Sequence, residues 1–269
     1  MRSRMASMLG AAALTAACSV SDSEERALGE DYVRQINAQL PLVTDQRVVG
    51  YVDALGKEIA SKTSRASLDW QFHVVNSEAV NAFAVPGGFI YVNRGLIDRA
   101  KTLDQLAGVL GHEIGHVVER HSVEQMKKAT GANIGVALLC TLTSICDNTA
   151  TQVVINAAGS ALFARYSRSH ETEADSQAVA NVIAAGIHPS GIPDFFQLLI
   201  AERRRNPNVL ENFFASHPLE ESRVEHTRAL IAAYGDSRVG GLTRDDAGFQ
   251  RFKSIVAALP PAPNPLRTE

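Results

Sequence analysis

No apolar run in this chain is long enough to cross a membrane as a helix, which takes about 18 to 20 residues. The stretch from Met5 to Ala17 is too short, and residues 131 to 146 are interrupted by Asn133 and several threonines. An excess of one charge is missing too. The formal net charge is −3, which gives a nucleic acid nothing to hold. Arg203-Arg204-Arg205 is short and reads as a solvated helix end. There is no tetratricopeptide period. No serine or cysteine stands in a nucleophile-elbow pattern, which argues against covalent hydrolysis. Proline is absent between residues 87 and 188, so helices can run there without an imposed break.

Cysteine is scarce, with three in 269 residues, and each has a reading. Arg2 and Arg4 precede the alanine-rich stretch to Ala17, the make-up of a secretory signal over residues 1–17. It ends in Leu14-Thr15-Ala16-Ala17-Cys18, which resembles the lipobox of bacterial lipoproteins, although Thr15 stands where leucine is usual. Cys18 is then the lipid-bearing first residue, with ordinary cleavage near Ala17 as the alternative. Residues 18–29, polar from Ser19 to Glu25, read as a lipidated tether. By resemblance to Gram-negative sorting, Ser19 points to the outer membrane. Secretion leaves Cys140 and Cys146 as an even pair in an oxidising compartment, either a small-loop disulfide or two buried thiols.

Helical periodicity covers residues 24–40 and 45–62, with Pro41 between them. Strands are predicted at 68–75, with Trp70, Phe72 and Val74 on one face, at 80–85, and at 89–92 after Pro86-Gly87-Gly88. Further helices are predicted over 102–128, 149–164, 167–185, 190–204 and 218–234, and the tail, with Gly240-Gly241 and then Pro260, Pro261, Pro263 and Pro265, ends in weakly ordered structure. The fold class is α+β, mainly helical, with a small β-sheet beside a long central helix. Residues 30–235 form the main domain and 236–269 a C-terminal extension.

That helix carries His112-Glu113-Ile114-Gly115-His116. At about 100° per residue, i and i+4 lie within roughly 40° of each other, so both histidines can face one metal ion. Glu113 stands beside them, placed to take a proton from a water on a zinc ion. A catalytic zinc needs a third protein ligand. A histidine ten residues after His112 would supply one, but Ser122 stands there, and His121 is about half a turn out of phase and faces away. In His170-Glu171-Thr172-Glu173-Ala174-Asp175, Glu171 and Asp175 share a helical face, while Glu173 is rotated away by about 200°. Glu171 becomes the third ligand, and Asp175 orients a ligand histidine from behind. A chance HExxH and an ordinary acidic helix are the plain alternatives. His73, His170, His188 and His226 are assigned no role.

HExxH followed by ExxxD, with Asn81-Ala82-Phe83-Ala84-Val85-Pro86-Gly87-Gly88 upstream and His217-Pro218-x4-Arg223 downstream, resembles the HtpX/BepA-like gluzincin metallopeptidases, peptidase family M48. The likeness covers roughly residues 30 to 235. It implies a zincin-like domain, one zinc ion on His112, His116 and Glu171, and Glu113 as general base. It further implies His217 as a gate on the open zinc position and Arg223 on the substrate or the developing oxyanion, with His217 and then Tyr166 as weaker oxyanion candidates. Unlike integral members, this chain shows no transmembrane helices, and it lacks the repeat domain of the chaperone-like relatives. Asn81, Ala82, Phe83, Ala84 and Val85 would form an edge strand that holds extended substrate through its main chain, or a purely structural sheet. The function expected is a periplasmic zinc endopeptidase, anchored to the outer membrane through Cys18, acting on misfolded or misassembled envelope polypeptides. The alternative is a chaperone or assembly factor that binds client strands and cleaves little.

Overall fold

Strand pairing follows the alternation of the sequence. The computed structural model describes residues 20–129, 164–218 and 220–263. Its sheet contains β1 (Gln71–Val75), β2 (Ala82–Val85) and β3 (Phe89–Asn93) in the order β1-β3-β2. β3 is parallel to β1 and antiparallel to β2, so β2 ends the sheet. Successive side chains point to opposite faces. Ile90 and Val92 therefore enter the main core with Trp70, Phe72 and Val74, while Phe89 and Tyr91 enter a smaller core with Leu28, Tyr32 and Val33. Gly87 and Gly88, at φ +85° and +96°, make the turn between β2 and β3, a conformation that glycine adopts without a Cβ clash.

Helix α1 (Asp22–Gln39) covers the smaller core, and α2 (Gln46–Ala60) packs on the other side. The polar segment expected as a tether is helical from Asp22. Ser21 caps the Glu24 amide and the Glu24 carboxylate caps Ser21 in return, which turns polar residues into a helix start. Buried Glu25 accepts from Arg65 and from the Gly87 amide.

After α3 (Arg94–Arg99) comes α4 (Leu103–Val118), buried along its whole length. The single helix expected over 102–128 is in fact two. α4 ends at Val118 with Glu119 as its C-cap, Arg120 takes φ 59°, and α5 (His121–Ala129) begins after it. The left-handed residue costs an arginine about 1–2 kcal/mol. Ion pairing of Arg120 with Glu25 at 2.8 Å offsets that cost from outside the helix, where periodicity cannot register it.

Beyond the next described residues, α6 (Arg168–Ala184) lies against α4, where Gly111 and Gly115 let the backbones approach Ala178 and Ala174. α7 (Gly191–Arg205), α8 (Glu211–Ser216), α9 (Glu221–Tyr234), α10 (Asp236–Val239) and α11 (Ala247–Ala257) complete the chain. The tail after Gly240-Gly241 thus contains a helix for which no expectation was set. Phe249, Phe252 and Val256 of α11 are buried in the main core, and Tyr51 stacks on Phe252 at 4.3 Å. No helix among the described residues is long and apolar enough to cross a membrane. Cys18, Cys140, Cys146, the signal 1–17 and all but the last residue of the helix expected at 149–164 lie outside the described residues.

Candidate active site

The helical period and the close crossing of α4 and α6 bring the acidic and imidazole groups together. His112 and His116 face α6 from the buried C-terminal half of α4, with Glu113 buried beside them, and Glu171 and Asp175 come one turn apart on α6. His217, just past α8, adds a third imidazole. Single donor atoms of His112, His116, Glu171 and His217 all lie within 4.8 Å of one another, and all four residues are buried. His112 Nε2 is 3.0 Å from His116 Nε2, and Glu171 Oε1 is 3.4 Å from His116 Nε2 and 3.2 Å from His217 Nδ1.

His112 and Glu171 are supported from behind. The Nδ1 of His112 lies 2.9 Å from Asp175 Oδ1. Arg223, buried at the start of α9, donates from Nε to Asp175 Oδ2 at 2.8 Å and from Nη2 to Oδ1 at 2.7 Å. Its Nη1 donates to Glu171 Oε2 and to the Pro218 carbonyl. In this arrangement the donors of Arg223, expected on the substrate or the oxyanion, go to two carboxylates and a carbonyl. Burial opposes ionisation of Glu171, but His217 and Arg223 override it and hold this carboxyl well below the usual range. Burial pushes His116 well below the usual histidine range, with Glu171 opposing, which leaves its ring lone pair available.

Glu113 is the exception to this network. It is fully buried, and neither carboxylate oxygen has a hydrogen-bond partner among the described residues. Burial raises its pKa, with His217 the strongest opposing influence. His217 Nε2 approaches Glu113 Oε1 to 3.6 Å and also lacks a hydrogen-bond partner. Buried polar atoms are seldom left this way without a ligand or a chemical task. Three imidazoles and a carboxylate are a nitrogen and oxygen donor set that fits a divalent transition metal.

Tyr166, the last oxyanion candidate, stacks on His116 at 3.9 Å, and its hydroxyl is 2.9 Å from Ser122 Oγ. It braces the His116 ring. Ala82 and Ala84 face the main core shared with α4, and Val85 the smaller one, so β2 lies beside the helix that carries the histidines. Asn81 precedes it, its carbonyl accepting from the Asn93 amide at 3.0 Å. Among histidines given no role, His73 stacks on Tyr91 and His188 Nδ1 pairs with Ser190 Oγ. Sequence reasoning missed His121, which is no ligand but is buried directly behind His116. A helical wheel continued through Arg120 rotates it away, and only the break in the helix returns it.

A model of Peptidase family M48 matches residues 46–231. The chain is 30% identical over 217 residues to a putative beta-barrel assembly-enhancing protease of Vibrio cholerae, covering 78% of this chain and 45% of that protein. It is 32% identical over 173 residues to the mitochondrial metalloendopeptidase OMA1 of Bos taurus, 62% of this chain and 33% of that one. It is also 25% identical over 218 residues to metalloprotease YcaL of Escherichia coli, 81% and 84% of the two chains. The chain therefore spans less than half the length of the assembly-enhancing relative it matches.

Proposed function

The chain belongs to peptidase family M48, and from that membership we propose a zinc-dependent endopeptidase of the bacterial cell envelope that hydrolyses misfolded or misassembled proteins. The observation that carries this reading is the buried cluster of His112, His116, Glu171 and His217 beside the unpartnered carboxylate of Glu113. His112, His116 and Glu171 would hold the zinc. Zinc at such a site supplies Lewis-acid chemistry, lowering the pKa of a water toward neutrality and polarising a carbonyl.

Glu113 is the general base. It takes the proton of the attacking water on its carboxylate and returns it to the leaving amine. Burial favours the protonated form between those two transfers. Asp175 fixes the ring of His112, and Arg223 holds Asp175 and Glu171 in register, a positioning role. Asn81, Ala82, Phe83, Ala84 and Val85 would bind an extended client by main-chain pairing at the end of the sheet. The names of the assembly-enhancing relatives support envelope clients that are assembling β-barrels. A periplasmic location, an outer-membrane anchor through Cys18, and a Cys140–Cys146 disulfide complete the reading, with residues 30–235 as the peptidase domain and 236–269 as an extension that contributes to its core.

One feature favours the second reading, a client-binding assembly factor with little cleavage. His217 sits within the donor cluster, where it would fill the position a substrate carbonyl needs. The deciding experiment is digestion of an unfolded envelope protein by the purified chain. Cleavage that stops on chelation and returns with added zinc supports the endopeptidase. Binding of the client without cleavage, with zinc present, supports the assembly factor.

A further inference from the structure

The two histidines of the motif are supported unequally. Asp175 contacts the outer nitrogen of His112 directly. Behind His116 stands a second imidazole. His116 Nδ1 lies 2.9 Å from His121 Nδ1, and His121 Nε2 lies 2.9 Å from Glu173 Oε2. His121 is buried, while the Glu173 side chain is 54% exposed. His170 stacks on His121 at 4.3 Å and is itself within 3.2 Å of Glu124.

Proton placement along this chain is determined once His116 binds a metal. Its Nε2 faces the cluster, so ligation there leaves the ring proton on Nδ1. That proton can only be donated to His121 Nδ1, which must then be the accepting nitrogen. His121 consequently carries its own proton on Nε2 and donates it to the Glu173 carboxylate. Every donor meets an acceptor, and no other arrangement of neutral rings satisfies both contacts.

We propose that His121 and Glu173 form an extended carboxylate–histidine–histidine support that orients His116 for zinc, with His121 as a positioning residue. The proposal rests on the metal reading above. A carboxylate acting on a ligand histidine orients the ring and raises its basicity. Here the carboxylate acts through one intervening imidazole, which carries the buried end of the contact and leaves the charge at the surface. The stacked His170 fixes the plane of that imidazole.

The test is zinc affinity of the full chain, measured by competition with a chelator. His121→Ala is expected to raise the zinc dissociation constant by about 10- to 100-fold. His121→Asn places an amide oxygen near the position of Nδ1 and should stay within about fivefold of wild type. Glu173→Ala, at an exposed position that leaves the core untouched, should weaken zinc by about 3- to 10-fold, and by less than twofold when His121 is already Asn. A structural role alone would lower the melting temperature without this dependence of one substitution on the other. Affinity of His121→Ala within about twofold of wild type, or an equal Glu173→Ala effect in both backgrounds, would overturn the proposal. If His121→Ala does not fold, the Glu173→Ala comparison decides alone. A wild-type chain that takes up no zinc overturns the metal reading and this proposal together, whereas a wild-type chain that binds zinc isolates any failure to His121 and Glu173.

Discussion

A Cβ added to Gly115 would stand 2.8 Å from the carbonyl oxygen of Ala174. α4 and α6 meet backbone to backbone at this point, one turn from Glu171. The crossing distance, set by a missing side chain, is what lets a carboxylate on one helix reach imidazoles on the other. Gly115→Ala is expected to force the helices apart, at a cost of about 1–3 kcal/mol from overpacking. Thermal unfolding should detect the loss, and zinc uptake should weaken with it. A variant that unfolds like wild type and binds zinc equally would show that the helices have slack.

Glu25 ties the start of α1 to the rest of the fold. It accepts from Arg65 and the Gly87 amide, and pairs with Arg120 at 2.8 Å. Removing it strands the buried arginine end and an amide in the turn of β2 and β3. Glu25→Ala is expected to lower stability by about 3–5 kcal/mol, the range for breaking a buried pair from one side. Chemical denaturation measures it. A loss below about 1 kcal/mol would mean Asp22 alone suffices for Arg65.

Part of this architecture could be read from residue order and part could not. His112, His116, Glu171 and Asp175 obey a helical period within unbroken helices, and Trp70, Phe72 and Val74 obey a strand period, so local geometry carries them. The break at Arg120 is paired with Glu25, ninety-five positions earlier, and a helical wheel that rightly keeps His121 off the metal does not show it standing behind His116. The helix Ala247–Ala257 was hidden differently: its buried Phe249, Phe252 and Val256 follow a glycine pair and precede a proline-rich end. The fate of Arg223 depends on which carboxylates α6 presents to it, a tertiary fact.

Arg223 offers a direct check on its positioning role. Its guanidinium pairs with the buried carboxylates of Asp175 and Glu171, so Arg223→Met leaves both without their cationic partner. Stability should fall by about 3–5 kcal/mol in the metal-free protein. Bound zinc would compensate part of that loss by neutralising Glu171. If Arg223 instead served only the oxyanion, the variant would melt like wild type and lose activity alone.

Glu113→Gln separates proton transfer from metal binding. The amide has nearly the same shape and size but cannot accept a proton, and no described side chain depends on the carboxylate for a hydrogen bond. The variant is expected to bind zinc as wild type does while cleavage falls by at least about 10²- to 10⁴-fold, the usual worth of a positioned general base. Metal content and peptide cleavage, measured on one preparation, check both halves. Turnover near wild type would remove Glu113 from the chemistry.

His217 decides how freely the site works. Its Nδ1 lies 3.2 Å from Glu171 Oε1 and 3.4 Å from His112 Nε2, and its Nε2 reaches toward Glu113. It follows α8 rather than lying within a helix, and its ring is held on one side by Phe213. A ligand so placed competes with any substrate for the same position. His217→Ala removes the competitor and leaves the three donors on α4 and α6 in place. Cleavage of an unfolded envelope protein should rise several-fold, while zinc affinity falls because one donor is gone. The two changes must move in opposite directions. A variant with lower affinity and lower activity would make His217 an ordinary fourth ligand or a stabiliser of the transition state, and unchanged values in both would make it a bystander in the cluster.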